Sequence, residues 1–299
     1  MLTRHDKGYK ISIRASVLLV FVLASLLTAV VAISLHYYFS EKLILQTKSE
    51  QFKQTSQQIA DHITRINHRA DNTLSVMIHD TRLFSNSQDN KEILQHVLLE
   101  ILTRHPDFYS LFLGHANGDL LQVINLKGYA KLPSSFQLDE DDHWLVYQIT
   151  GQGSDRKQVT TYLDESLNVR KRDTKATDYD PRTRVWFQDA ISTSVTKTEQ
   201  YVFNVFDVPG YTYAIKSAQT GDVLAIDIAS ASLNHFLTAQ QTKMKHLVES
   251  EMYVYRGDGE IIASSKNQSH QHSFADLSQL VKLDEQQSGL ANKAHQFGK

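Results

Sequence analysis

The chain contains no cysteine. No disulfide framework, zinc–thiolate centre or thiol nucleophile can be built from it. A phosphate-cradling Walker loop, a GxSxG nucleophile elbow and an HExxH zinc helix are also missing. The formal net charge is only -2 over 299 residues. That balance gives no global reason to expect nucleic acid or a strongly charged partner. Charge does occur in short runs. Asp139 to His143 reads DEDDH, and adjacent acids on a loop are ordinarily a solvated run rather than a metal site. His79-Asp80 has no companion metal-ligand pattern, and His270 and His272 lie two apart in a Ser/Gln-rich tail. Val169 to Lys175, VRKRDTK, is too short for a nucleic-acid patch and reads as an exposed loop. Neither a cofactor nor a metal is expected, and no catalytic motif is present.

What the chain has in excess is one apolar run. From Ala15 to Ser40 there is no formally charged residue, and Val17 to Leu35 reads VLLVFVLASLLTAVVAISL. A helix of that length spans about 28 Å, close to the hydrocarbon thickness of a bilayer. Arg4, Lys7, Lys10 and Arg14 precede it against a single Asp6. The positive-inside rule then keeps the N-terminus cytoplasmic and exports the chain beyond the span. A cleaved signal peptide is the competing reading. The run is long for a signal h-region and no clear A-x-A site comes after it, so a retained inner-membrane anchor is expected, with residues from about 40 onward periplasmic. Tyr37, Tyr38 and Phe39 suit the outer interface.

Beyond the span a polar helix is predicted from about Ser40 to Met77. Leu45, Phe52, Ile59 and Ile66 recur every seven residues, with Ile63, Ala70 and Met77 on a neighbouring line. The stripe fits packing against its own domain, or a stalk through which the chain forms a homodimer and transmits displacement. Both readings stay open. Asp89 or Asn90 can cap a second helix whose buried face is Ile93, Leu94, Val97, Leu98, Ile101 and Leu102, ended by Pro106. The period then changes to that of strands. YSLFLGHANGDLLQVINL reads as a hairpin turning at Asn117-Gly118. HWLVYQI, QVTTYL, QYVFNVF, YTYAIKSA and DVLAIDIA are further strand candidates. Ala190 and Ile191 fall in a short inserted helix, and Leu233, Phe236 and Leu237 in a later one. Helices first and then a mainly antiparallel sheet is an α+β order. A second strand–turn–strand unit, EMYVYRGDGEIIASS, echoes the first around Gly257-Asp258-Gly259.

One stretch gathers unusual chemistry. Tyr179 to Phe187 reads YDPRTRVWF. Asp180-Pro181 is a turn or helix-start signal. Residues two apart on a helix do not face each other. Arg184 and Trp186 converge only if Arg184 lies outside the helix and Trp186 just inside it, at a strand-to-helix corner. Arg would then grip a carboxylate with its planar fork and Trp would offer an apolar face. The alternative is a structural corner with Arg184 paired to an acid and Trp186 simply buried. Asp227, in the apolar strand VLAIDIAS, is costly unless partnered. It would hold a ligand amine or serve as Arg184's partner. Tyr201 and Tyr213 are candidates to line the same cavity, subject to the alternation of strands.

Taken in order, YDPRTRVWFQDA, TEQYVF, PGYTYA, GDVLAIDIASASLNHFL and YVYRGDGEIIAS resemble the double Cache sensors, the extracytoplasmic ligand-binding modules of bacterial chemoreceptors, sensor kinases and cyclic-dinucleotide enzymes. The resemblance runs from the membrane span to near the C-terminus. It implies PAS-like antiparallel-sheet modules, the membrane-distal one complete and the proximal one incomplete. The implied division is residues 1–14 cytoplasmic, 15–39 transmembrane, 40–82 stalk, 83–244 distal module and 245–299 the start of the proximal module. Members that bind amino acids or amines carry a Tyr, an Arg-x-Trp, a following Tyr and downstream acids, matched here by Tyr179, Arg184, Trp186, Tyr201 and Asp227. Phe187 stands where a Tyr is common, Phe203 where amino-acid binders tend to have an Asp, and Val185 replaces a common Pro. The carboxylate-gripping half is therefore better matched than the amine-gripping half, and a small polar, carboxylate-containing ligand is expected. The YSLFLGHANGDLLQVINL and PGYTYA variants look most like sensors joined to HD-GYP cyclic-di-GMP phosphodiesterases or to nucleotide cyclases. That resemblance implies an effector beyond Lys299 and a chain that is the input half of such an enzyme. A scaffold that dimerises without a ligand is the remaining structural alternative.

Overall fold

A computed structural model describes residues 13–85, 88–127, 138–244, 252–255 and 261–265. The basic residues Arg4, Lys7 and Lys10, the Gly257-Asp258-Gly259 turn and the histidines at 270 and 272 lie outside them. The chain divides into two compact units, residues 1–58 and 59–299.

The first unit is helical. Helix α1 spans Ile13–Met77, and within it Ser16–Ser40 is 25 residues long with a mean hydropathy of 2.8 and no buried residue. By length and composition this segment is long and apolar enough to cross a membrane. Tyr37, Tyr38 and Phe39 are all exposed at its end.

In the second unit the remainder of α1 packs. Ile66, Ala70, Leu74 and Met77 are buried, so the residues from 66 onward have the domain's own core as their partner. Helix α2, Gln88–Arg104, begins a residue or two before the predicted caps and buries Leu94, Leu98, Leu99 and Leu102. Both helices share one core with one face of an antiparallel sheet. Its strands are β1 Ser110–Gly114, β2 Leu120–Asn125, β3 Trp144–Thr150, β4 Lys157–Leu163, β5 Val169–Ala176, β6 Thr196–Lys197, β7 Tyr201–Val202, β8 Pro209–Lys216 and β9 Val223–Ala229. The order is β5-β4-β3-β2-β1-β9-β8-β6, with β7 also pairing with β8. Strand alternation divides the residues cleanly. Leu111, Leu113, Leu121, Val123, Leu224, Ile226 and Ile228 meet the helices. Phe112, Leu120, Tyr147, Val223 and Ala225 face the other way, toward α3, Val185–Gln188.

The β1–β2 hairpin turns where Asn117-Gly118 predicts, with Gly118 at φ +94, a backbone region that suits glycine. Three readings need correction. VRKRDTK is not a loop: it forms the edge strand β5, exposed along its whole length. Its Arg170 lies 2.8 Å from Asp141, 3.3 Å from Asp142 and 3.6 Å from Asp139. The acidic run is therefore the counter-charge of a charged sheet edge, a device that discourages edge-to-edge pairing. QYVFNVF is a strand only at Tyr201–Val202, because the chain turns at Phe206 (φ 67) and Asp207 (φ 49). Helix α3 also stops short of Ala190 and Ile191.

Helix α4, Ser230–Met244, follows β9. A separate antiparallel pair, β10 Tyr253–Tyr255 and β11 Ile261–Ser264, packs Met252 and Ala263 on Leu237 of α4.

Leu74→Ala empties a fully buried site between α1 and the sheet and is expected to cost about 2–5 kcal/mol. Val76→Ala, 73 % exposed on the same helix, is expected to change stability by less than about 0.5 kcal/mol. Denaturation midpoints of the two variants check this. Equal midpoints would mean that α1 does not pack on the sheet.

Candidate functional site

The stretch from Tyr179 to Phe187 forms the corner that its spacing predicts. Asp180 caps a 3-10 turn, Pro181–Thr183, by accepting from Arg182 N–H. Arg184 is extended (φ -86, ψ 145) and sits at the N-cap of α3, with Trp186 inside the helix and buried. Arg184 and Trp186 therefore both line one cavity on the face of the sheet away from α1 and α2.

The acids of the corner are committed elsewhere. Asp180 is bound by Arg182 through two nitrogens at 2.9 and 2.6 Å. Arg156, buried in the β3–β4 connection, lies 3.8 Å from Asp180 and donates to the Tyr179 carbonyl at 2.8 Å. These guanidiniums hold Asp180 below the usual carboxylate range, chiefly through the Arg182 hydrogen bond. Arg184 has no carboxylate within salt-bridge distance among the described residues; its guanidinium lies 5.7 Å from the centre of the Tyr179 ring. The structural reading, in which Arg184 pairs with an acid, is not what the corner does.

The floor of the cavity is the centre of the sheet. Asp227 on β9 is directly opposite Ser110 on β1 and Thr212 on β8. Ser110 Oγ donates to its Oδ2 at 2.7 Å and Thr212 Oγ1 to its Oδ1 at 2.5 Å. Behind these stand Gln122 Nε2, donating to Ser110 Oγ at 2.9 Å, and the Tyr201 hydroxyl, 2.6 Å from Thr212 Oγ1. Burial pushes the Asp227 carboxyl up to about 7, against the two hydroxyl bonds, which pull it down. Desolvation dominates because the group is 2 % exposed and no cation among the described residues is bonded to it.

Aromatic rings form the walls. Trp186 stands edge-on to Phe112 at 4.8 Å. It lies so close to β1 that a Cβ on Gly114 would be 2.7 Å from the indole. Tyr201 meets Phe203 edge-on at 5.3 Å. Tyr147 also lines the cavity, with its hydroxyl donating to Gln158 at 2.8 Å. Burial raises Tyr179 to about 12 and shifts Tyr147 and Tyr201 upward as well. The cavity volume is about 20 Å³, room for one water molecule.

Of the residues singled out in the sequence, Tyr179, Arg184, Trp186, Tyr201, Phe203 and Asp227 converge here. Two do not. Tyr213 follows Thr212 on β8 and so points to the opposite face, where its hydroxyl donates to Asn67 of α1. Phe187 is one residue past Trp186 on a helical turn, so it points away from the cavity toward Lys216, whose Nζ is 5.9 Å from its ring. Missed were Ser110, Gln122, Tyr147, Thr212, Asn204 and Val205. Gln122 carried the same signal as Asp227, a polar side chain inside an apolar strand.

The raised carboxyl has a consequence for stability. Its folded pKa lies above the unfolded value, so between about pH 4 and about pH 7 the folded state holds a proton that the unfolded chain has lost. Stability then falls with rising pH across that window and levels above about 7, by on the order of 4 kcal/mol in total for this group. Asp227→Asn is expected to remove that slope and to melt higher than the parent above pH 7. Parallel melting curves at all pH values would show that the carboxyl is not buried as described.

No family model and no curated protein matches the chain. Among solved structures it is similar to the ligand-binding domain of Campylobacter jejuni chemoreceptor Tlp3 in complex with 4-methylisoleucine, at 15 % identity and TM-score 0.44, over 78 % of this chain and 75 % of that one. A second is the ligand-binding domain of Pseudomonas fluorescens chemoreceptor CtaA with L-serine, at 17 % identity and TM-score 0.39, over 69 % and 66 %. A third is the extracellular domain of the putative histidine kinase soHK1S-Z6, at 18 % identity and TM-score 0.38, over 68 % and 65 %.

Proposed function

We propose that the chain is a membrane-anchored, double-Cache-type sensor module that binds a small carboxylate-containing ligand on the periplasmic side of the inner membrane. The carrying observation is Arg184: a guanidinium held at a rigid corner, without a carboxylate partner among the described residues, at a cavity walled by aromatic rings. A cation so placed takes a carboxylate bidentately. The surrounding acids reinforce this, because Asp180 is bound to Arg182 and Arg156 and Asp227 is capped by hydroxyls.

The proposal extends to output. Thr212 touches the floor of the cavity and its neighbour Tyr213 touches Asn67 of α1. Consecutive residues of one strand therefore join the site to the helix that begins as the membrane span. A ligand that shifts β8 would bias α1, provided that it binds the two arrangements with different affinity. Dimerisation through the part of α1 between residues 40 and 65, ahead of the residues that pack on the domain core, and an HD-GYP phosphodiesterase or nucleotide cyclase as effector, belong to the same reading and rest on the resemblance of the sequence motifs.

A thermal-shift screen of carboxylates, amines and amino acids on the detergent-solubilised chain tests it. A ligand at ~100 times its dissociation constant should stabilise by roughly 2.7 kcal/mol, and Arg184→Ala should abolish the shift. If no compound stabilises the chain, or if the shift survives Arg184→Ala, the cavity is a packing feature and a ligand-free scaffold is favoured instead.

A further inference from the structure

The hydrogen-bond circuit on the cavity floor can exist in two directions. Ser110 and Thr212 each own one hydroxyl proton. While Asp227 is ionised both protons point at it, at 2.7 and 2.5 Å. Thr212 Oγ1 is then only an acceptor toward Tyr201, so the phenol must donate inward across the 2.6 Å contact. In that state Tyr201 shows the cavity lone pairs alone. With a proton on Asp227 the carboxyl donates to Thr212 Oγ1, the threonine proton turns toward Tyr201, and the phenolic proton is released into the cavity. One added proton thus converts the floor from an acceptor surface beside a negative charge into a neutral donor surface facing the same side as Arg184.

We propose that Asp227 is the specificity-determining residue of the cavity, selecting an anionic ligand without an ammonium group because the carboxyl takes up a proton as the anion binds. The inference rests on reading the cavity as a ligand site. An anion beside an ionised Asp227 would be opposed in a low-dielectric enclosure, and protonation removes the conflict. An ammonium group, with three N–H donors, finds a single acid among the described lining residues, and both its oxygens already carry hydroxyl bonds. The adjoining wall is Phe203, Asn204 and Val205, where only the neutral Asn204 amide oxygen can accept and no second carboxylate stands. Among the described residues around the cavity, no second carboxyl or imidazole competes for the titration. Facing Asp227 are Tyr109 ahead of β1, Tyr179 at the corner and Tyr201 on β7, with Tyr147 on β3 nearby, and burial moves all four phenols upward, away from neutrality. Arg184 is the one cation among the described lining residues.

The sign of the pH dependence decides between ligand classes. A zwitterion would hold Asp227 ionised through its ammonium group and bind more tightly as pH rises; a simple anion does the reverse. Calorimetric titration of the detergent-solubilised chain with acetate, propionate and pyruvate, and with glycine and alanine, from about pH 5.5 to about pH 8.5 reads this directly. The expected result is carboxylate binding that weakens by up to about tenfold per pH unit above about 7, with uptake of up to about one proton per ligand, measured from buffers of different ionisation enthalpy. Asp227→Asn, which keeps a donor and an acceptor on the floor, should bind the same carboxylates with little pH dependence. Carboxylate binding that is flat or strengthens with pH in the parent chain, or alanine binding as tightly as propionate, overturns the inference and leaves the ligand site standing. Failure of both classes to bind at every pH overturns the ligand site itself.

Discussion

Asp227 is carried by β9, between β1 and β8, and its carboxyl group is buried at the floor of the cavity. Burying a carboxyl without partners costs several kcal/mol, and the partners here are fixed by register. Ser110 and Thr212 lie directly opposite Asp227 on the two flanking strands. A slip of one residue in either pairing would turn the hydroxyls to the helical core and strand the acid. The same slip would bring Leu111 and Leu113 of β1, or Tyr213 and Ile215 of β8, out of contact with the helical core. The polar cluster and the apolar core therefore demand the same register from opposite faces, and each penalises the errors of the other.

That arrangement leaves the second face of the sheet only partly covered. The first face has two helices; the second has the short α3, the corner before it and the turn after β7. Those covering segments are held by a few specific contacts. Arg156 binds the Tyr179 carbonyl, Asp180 caps its own 3-10 turn, and the Trp186 indole rests on Gly114. Because Asp180 absorbs Arg182 and Arg156, the next arginine in the motif is left without an acid. Arg184 is thus available through the local charge arithmetic of YDPRTR.

Much of this was legible in the sequence where a short-range rule applied. The long apolar helix followed from one uncharged run. The β1–β2 turn followed from Asn117-Gly118, and the end of α1 at Met77 from the apolar stripe. The corner geometry followed from the fact that residues two apart on a helix diverge, which put Arg184 outside α3 and Trp186 inside. The losses came where a fact was non-local. VRKRDTK looked like a loop because both its faces are polar; it is a strand because β4 offers it a ladder, and its charges are answered by acids some thirty residues earlier. Tyr213 was misplaced because the parity of a strand depends on its pairing, and one step along β8 changes the face. Ser110 and Thr212 are unremarkable in the sequence and become important only when the register sets them on either side of Asp227.

Parity also explains how a cavity on one face can matter to a helix on the other. Thr212 and Tyr213 are adjacent in the chain and point to opposite faces of a sheet too thin to isolate them. The cavity admits about one water molecule, so a carboxylate ligand fits only if a wall yields. The turn after β7 is the wall with least to lose. Tyr201–Val202 is a two-residue strand, and Phe206 and Asp207 both hold left-handed backbone angles that cost such residues about 1–3 kcal/mol each. Displacing that turn moves Tyr201, and Tyr201 is bonded to Thr212. Any adjustment there is felt one residue later at Tyr213, whose hydroxyl is tied to Asn67. On the sensor reading, the stored strain and the two-faced strand together turn a small local opening into a displacement of α1, without any pathway longer than one peptide bond through the sheet.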